Sequence, residues 1–201
     1  MGTTSNYSWP TPEATDLVKD GWDAIKDLGD AADTTVKAVS DAQGLVHINT
    51  TDFTSVSSQS FNNVFTSAYQ NYKVIARFAN STTATINLRL RASGSDNSTS
   101  NYYTSMIGRD NTSTRTINTG PATSIQLTEN LAASAKGFEL NFINPAAIAL
   151  TLVFGSNINT AFNTFYTGGH QFTLTNSFDG FTIYPSAGNI SGRIQIFGIK
   201  D

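Results

Sequence analysis

The hydrophobic period of this chain changes once, at Gly44, and that change limits what the chain can fold into. Before it, apolar or small residues fall at Val18, Trp22, Ile25, Gly29, Ala32, Val36 and Val39, at alternating intervals of four and three. This is the seam of a coiled coil, about three heptads long. A competing seam through Ile25, Leu28, Ala32 and Val39 shares three of its residues. Thr11 stands at a capping position with Pro12 at the first helical position, and Glu13 and Asp16 suit the positive end of the dipole. The pattern predicts a helix over residues 12–41. Gly29 lies in the seam and weakens that helix by about 1 kcal/mol relative to Ala. So thin a stripe gives the helix little reason to be stable alone, and it is expected to pack on copies of itself or on another protein.

After Gly44, a natural helix stop, the period becomes two. Strands are predicted over 45–49, 53–57, 72–79, 85–92, 102–107, 124–128, 137–144, 147–155, 171–175, 181–184 and 192–199, separated by Asn, Ser, Gly and Thr clusters. Alternation is clean in several. Tyr72, Val74, Ala76 and Phe78 oppose Lys73 and Arg77; Ile86, Leu88 and Leu90 oppose Asn87, Arg89 and Arg91. One wet face per strand points to antiparallel sheets. The expected fold is mainly β: an antiparallel β-sandwich of jelly-roll type with an N-terminal α-helix. The expected parts are residues 1–43, an arm and helical attachment segment, and residues 44–201, a β head.

Charge separates the same two parts. Eight of the chain's 15 carboxylates lie in residues 13–41, leaving seven for the rest, which also carries nine of the 12 Lys and Arg. Overall only 13% of residues are charged, and Ser, Thr and Asn make up about a third of the chain. A surface of neutral hydroxyls and amides forms many weak hydrogen bonds without long-range attraction, which suits an extracellular or virion surface. A net charge of −3 gives no footprint for nucleic acid. There is no cysteine, so neither disulfides nor thiolate metal sites are expected. The first ten residues are polar and no apolar run reaches spanning length, so neither a secretion signal nor membrane insertion is expected.

Catalysis needs a tunable acid or base, a nucleophile or a metal, and such groups are sparse. His47 alternates with Val46 and Ile48 as a structural side chain, and His170 follows Gly168-Gly169 in an expected turn. No zinc spacing is present, and neither cofactor nor metal is expected. Glu129 and Glu139, the only glutamates beyond the helix, are read as solvated, although such a pair is what a polysaccharide-cleaving fibre would need. Residues 94–98 and 109–112 read as turns. Binding chemistry is better represented. Tyr102 and Tyr103 sit beside a Ser/Asn loop, and Phe162, Phe165 and Tyr166 sit in an Asn/Thr-rich segment. Flat rings beside short polar side chains suit a sugar; alternatively these rings close the sandwich or fill a subunit contact. Arg89 and Arg91 lie on an expected wet face, where they meet an anionic glycan, a neighbouring subunit or solvent. Trp9, between Ser8 and Pro10, either covers its own helix start or inserts into a neighbouring subunit.

Two stretches carry a family resemblance. The run from Trp9-Pro10-Thr11-Pro12 through Lys19-Asp20-Gly21, with Ile25, Leu28-Gly29-Asp30-Ala31 and Asp33-Thr34-Thr35-Val36, resembles the amino-terminal segment of minor tail and tail-fibre proteins of tailed bacteriophages. Phe61 to Tyr72, Leu88 to Gly94 and Ser177 to Gly192, ending in Ile196-Phe197-Gly198-Ile199-Lys200, are similar to a carboxy-terminal domain of phage virion proteins. The resemblance implies a homotrimer, assembled in the host cytoplasm into the virion tail. Trp9, Val18, Trp22, Ile25, Ala32, Val36 and Val39 would serve attachment and trimerisation. It brings no catalytic residues. The expected function is a short non-enzymatic tail fibre, bound to other tail or baseplate proteins through residues 1–43. Its head would bind a host-surface polysaccharide, with Tyr102, Tyr103, Tyr166, Arg89 and Arg91 as candidates. The alternative is a capsid decoration or head-fibre protein with an architectural role.

Overall fold

The computed structural model describes residues 2–13, 15, 17–160 and 163–200. The chain divides into two compact units, Met1–Gly44 and Leu45–Asp201.

In the first unit, β1 (Gly2–Thr3) and β2 (Pro10–Thr11) form an antiparallel ribbon. Its turn is closed by Thr4 N–H to the Trp9 carbonyl at 2.9 Å and Ser8 N–H to the Thr4 carbonyl at 3.0 Å. A single 3-10 turn, Val18–Asp20, leads into α1 (Gly21–Asp41). The helix therefore starts later than the periodicity predicts, and Thr11 is not its cap. Two local reasons account for this. Pro10 and Pro12 push the residues before them, Trp9 and Thr11, towards extended backbone. Leu17 is itself extended, at φ −71° and ψ 139°. Val18 accordingly belongs to the 3-10 turn, outside the helical seam.

The second unit holds β3 (Leu45–Val56), β4 (Gln59–Phe61), β5 (Asn71–Asn80), β6 (Ile86–Ala92), β7 (Ser95–Asp96), β8 (Tyr102–Arg109), β9 (Thr114–Ala122), β10 (Ile125–Gln126), β11 (Ala135–Ile143), β12 (Ala149–Asn159), β13 (Thr164–Asn176), β14 (Gly180–Pro185) and β15 (Ile190–Ile199). Eight strands form one sheet in the order β3-β15-β5-β11-β12-β13-β8-β9; the smaller sheet runs β10-β6-β14-β4, with β7 on β6. All pairings are antiparallel.

The sheets face each other across one core, so the fold is mainly β, sandwich-like, with one helix. Leu88, Leu90, Phe181 and Ile183 of the small sheet join Val74, Phe78, Leu140, Phe142, Ile194 and Ile196 of the large one. Phe142 and Phe181 meet across the gap with ring centroids 5.5 Å apart. The inward residues of β5 and β6 are those that the alternation assigns. Two predicted strands, 45–49 and 53–57, are one continuous β3, and 171–175 is the end of a longer β13. Strand β9 had no prediction because a single inward aliphatic, Ile117, marks its interior face.

Candidate functional site

Three surfaces are open for partners, and each is built differently. The first is the helix. Its single buried residue is Ala24, with Leu28, Ala31 and Thr35 half-buried on the same face. The arm lies on that face, where the Trp9 indole N–H donates to Thr35 Oγ1 at 3.0 Å. Tyr7 stacks on Trp9 at 5.5 Å. Trp9 thus covers its own helix. The adjacent stripe of Trp22, Ile25, Val36 and Val39 stays exposed, as does Val18, while Ala32 is half-buried. At Gly29, on the same stripe, an added Cβ would meet nothing within 4 Å.

The second surface is the outer face of the small sheet. Register places Gln126, Asn87 and Tyr184 in one row and Arg89, Thr182 and Ser60 in the next. Arg91 is consumed by its own fold. Its Nε donates to Asn62 Oδ1 at 2.8 Å, and one terminal nitrogen donates to Thr182 Oγ1 at 2.8 Å, to Ser60 Oγ at 3.2 Å and to Asp96; the other donates to the Gly94 carbonyl. A guanidinium with all three nitrogens so engaged ties β4, β6, β7 and β14 together and has little left for a ligand. Arg89 is freer. Among the described residues only its Nε is bound, to the Thr123 carbonyl at 3.1 Å, and its cationic head lies 5.0 Å from the Tyr184 ring centroid.

The third surface is the outer face of the large sheet, where Tyr103 is found. Its ring occupies the space that a Cβ on Gly120 would take, 2.4 Å away. It stands beside a cavity of about 630 Å³ lined also by Ser105, Asn118, Leu152, Phe154 and Gln171. The structure therefore does not bring the predicted ligand residues together. Arg89 and Arg91 face out from one sheet and Tyr103 from the other.

Two of those candidates are corrected outright. Tyr102 is fully buried; its hydroxyl donates to the Asn97 carbonyl at 2.9 Å and accepts from Leu90 N–H at 3.2 Å. Tyr166 is fully buried against Met106 and Ile117. Burial pushes both phenols well above the usual tyrosine range, and near Tyr166 the Glu129 carboxylate adds to the effect. A ring with no free face cannot stack on a sugar. Phe162 lies outside the described residues, and Phe165 is exposed on the large sheet.

The remaining titratable groups are also placed by the fold. Glu129 and Glu139 are not simply solvated: Glu129 pairs with Arg115 at 3.1 Å and Glu139 with Lys73 at 2.7 Å. Asp110 is held far below the ordinary carboxylate range by the Thr112 amide, then Arg115 and the Ser113 amide. Lys136 is buried with its Nζ on Asn80 Oδ1 and Ser134, and burial lowers it to about 8. His170 lies inside β13, not in a turn. It is buried, its Nδ1 is 3.0 Å from Thr104 Oγ1, and burial lowers its pKa to about 4. Gly168-Gly169 reads as a break in sequence, but at Gly168 a Cβ would lie 2.3 Å from the Ser105 carbonyl oxygen. Glycine is there for close strand approach. Among the described residues no three His, Asp or Glu stand close enough to hold a metal ion, and no helix is long and apolar enough to cross a membrane.

No protein-family model matches the sequence, and no curated protein matches it. Among solved structures, a galectin from Caenorhabditis elegans is similar at 6% identity and a TM-score of 0.33, covering 78% of this chain and 97% of its own. A fructosyltransferase from A. japonicus is similar at 10% identity and a TM-score of 0.35, over 84% of this chain but 28% of that one. The coat protein of Tobacco streak virus is similar at 6% identity and a TM-score of 0.24, over 79% and 88%. Likenesses this distant carry no functional argument.

Proposed function

We propose that this protein is a non-enzymatic virion component: a short trimeric tail fibre whose N-terminal unit attaches it to the particle and whose β head binds a host-surface glycan. The observation that carries this reading is the uncovered stripe of α1. The arm covers one face of the helix, yet Trp22, Ile25, Val36 and Val39 remain in water. A helix with this much unburied apolar surface gains stability by docking onto sister helices or a larger assembly.

The head supplies the binding chemistry. On the small sheet, Asn87 and Gln126 present amides, Tyr184 presents a ring and Arg89 a guanidinium with unbound N–H groups. Amides and an aromatic edge suit sugar hydroxyls and ring faces; Arg89 suits a carboxylate or sulfate on the same glycan. Each site is shallow and weak by itself. Three on one fibre act together, because linking them raises the effective concentration for the second and third contacts.

The test is binding of the full-length protein to immobilised host polysaccharides, neutral and anionic, alongside Arg89→Ala and Tyr184→Ala. Each substitution is expected to weaken binding by about tenfold, the scale of one lost hydrogen-bonded or stacked contact. Absence of binding to every polysaccharide, or binding indifferent to both substitutions, overturns the glycan assignment. Labelling of the head rather than the tail in particle images overturns the fibre assignment.

A further inference from the structure

Strand β12 is written inside out. Its inward positions include Thr151, Asn157 and Asn159, all buried; its outward positions are Leu150, Leu152, Phe154, Ser156 and Ile158, all apolar but one. The side-chain period of a strand is two, so a slip of one residue would turn this apolar set into the core. The fold does not take that option. Eight antiparallel pairs to β11 and eleven to β13 hold the observed register.

The neighbouring strands extend the same surface. Register sets Leu152 beside Gln171 and Tyr103, and Ile158 beside Phe165, with Ile107 one row away. Tyr103, Ile107, Leu152, Phe154, Ile158 and Phe165 are between 39% and 57% exposed. At roughly 200 Å² for a large apolar side chain, these six leave on the order of 600 Å² of apolar surface in water, with the short or neutral side chains of Gln171, Ser105, Ser156 and Thr167 among them. That is the upper end of the largest patch a soluble monomer carries, the size at which such patches are often functional. A stable interface needs about 800 Å² per partner, a little over half of it apolar.

The middle of the patch is also hollow. Gly169 falls between Phe154 and Ser105, and a Cβ there would meet nothing nearer than the Val153 carbonyl oxygen at 3.9 Å. The cavity described above opens over that position. On the flank towards β5, Lys73 and Glu139 pair at 2.7 Å, and Arg77 stands exposed beyond Gly137, at the margin of the patch where water keeps its charge solvated. Arg109 and Asn118 stand towards the β8–β9 edge. An apolar centre of interface size with a charged and polar rim describes a subunit interface.

We infer that the outer face of β8, β12 and β13 is where the head of one copy docks onto another copy of this chain. This rests on the self-assembly part of the proposed function and is independent of the glycan face, which lies on the opposite sheet. It also assigns Tyr103 to assembly instead of ligand binding.

The chain has no cysteine, so single cysteines report on the surface cleanly. Thr167 is exposed in the row of Ile107, and Thr83 is exposed in the loop between β5 and β6. In full-length protein at a concentration where sedimentation shows an oligomer, Thr167→Cys is expected to alkylate roughly tenfold more slowly than Thr83→Cys. Phe154→Glu combined with Ile158→Glu, added to Thr167→Cys, is expected to abolish that protection while glycan binding per protomer stays unchanged. Equal alkylation of the two cysteines in an oligomer overturns the proposal, as does a chain that sediments as a monomer throughout the micromolar range. Protection that develops only when phospholipid vesicles are added also overturns it, because the occupant is then a lipid surface. Should the double variant misfold, the comparison of Thr167→Cys with Thr83→Cys in the otherwise unaltered chain decides alone. Lost glycan binding with protection intact rejects the ligand reading without touching this one.

Discussion

His170 shows how a residue's surroundings replace its usual chemistry. In solution an imidazole titrates near neutrality; buried in β13 beside Thr104 it is lowered to about 4. The linkage has a definite sign. Between pH 6.5 and 4 the unfolded chain takes up a proton that the folded chain refuses, so stability falls as pH falls through this window. The expected loss is about 3 kcal/mol, on top of whatever the carboxylates contribute. His170→Gln is expected to flatten that share of the pH dependence, read from denaturant midpoints at pH 7 and pH 4. An equal decline in both proteins shows that the imidazole is not the cause. Arg91 and Tyr102 make a related point. Both are residue types that bind ligands on surfaces, and both are spent here on holding strands and loops together.

At the scale of single elements, α1 and β12 are the informative cases. Helix α1 carries Gly29 on its exposed stripe with open space around the missing Cβ. Gly29→Ala is therefore expected to raise the stability of the helical unit by about 1 kcal/mol, the intrinsic difference between the two residues. Far-ultraviolet circular dichroism during thermal unfolding checks it; a neutral or negative effect shows that another chain already occupies the space. The helix was legible from residue spacing, because a helix with one open face keeps its period of 3.6 whatever it later meets. Its start was not. The ribbon of β1 and β2 claims residues 10 and 11, and pairings between positions seven and nine residues apart leave no periodic signal. The predicted strand 147–155 overlaps β12, but spacing along a strand does not say which side is the core. Its partners β11 and β13 settle that.

Across the whole molecule, the two units have separate interiors. The main core runs from Phe53 to Ile196 and draws on no residue of the first unit. A chain of residues 45–201 is accordingly expected to fold with a melting temperature within a few degrees of that of the full-length head, as measured by calorimetry. Deleting the first unit is expected to abolish particle attachment. If the truncated head is unfolded, the two interiors are not independent.

The division of labour between sequence and tertiary structure follows from what each signal can carry. Local periodicity sufficed for the helix and for at least part of most long strands, β9 excepted, for the inward residues of β5 and β6, and for the separation of an acidic helix from a nearly neutral β domain. These depend on neighbours along the chain. Only the three-dimensional packing decided that Tyr102 and Tyr166 are interior, that Arg89 and Tyr103 look out from opposite sheets, and that β12 turns its aliphatic side chains away from its own core. These depend on strand register and on which sheet each strand joins, and pairings between residues tens of positions apart leave no trace in local spacing.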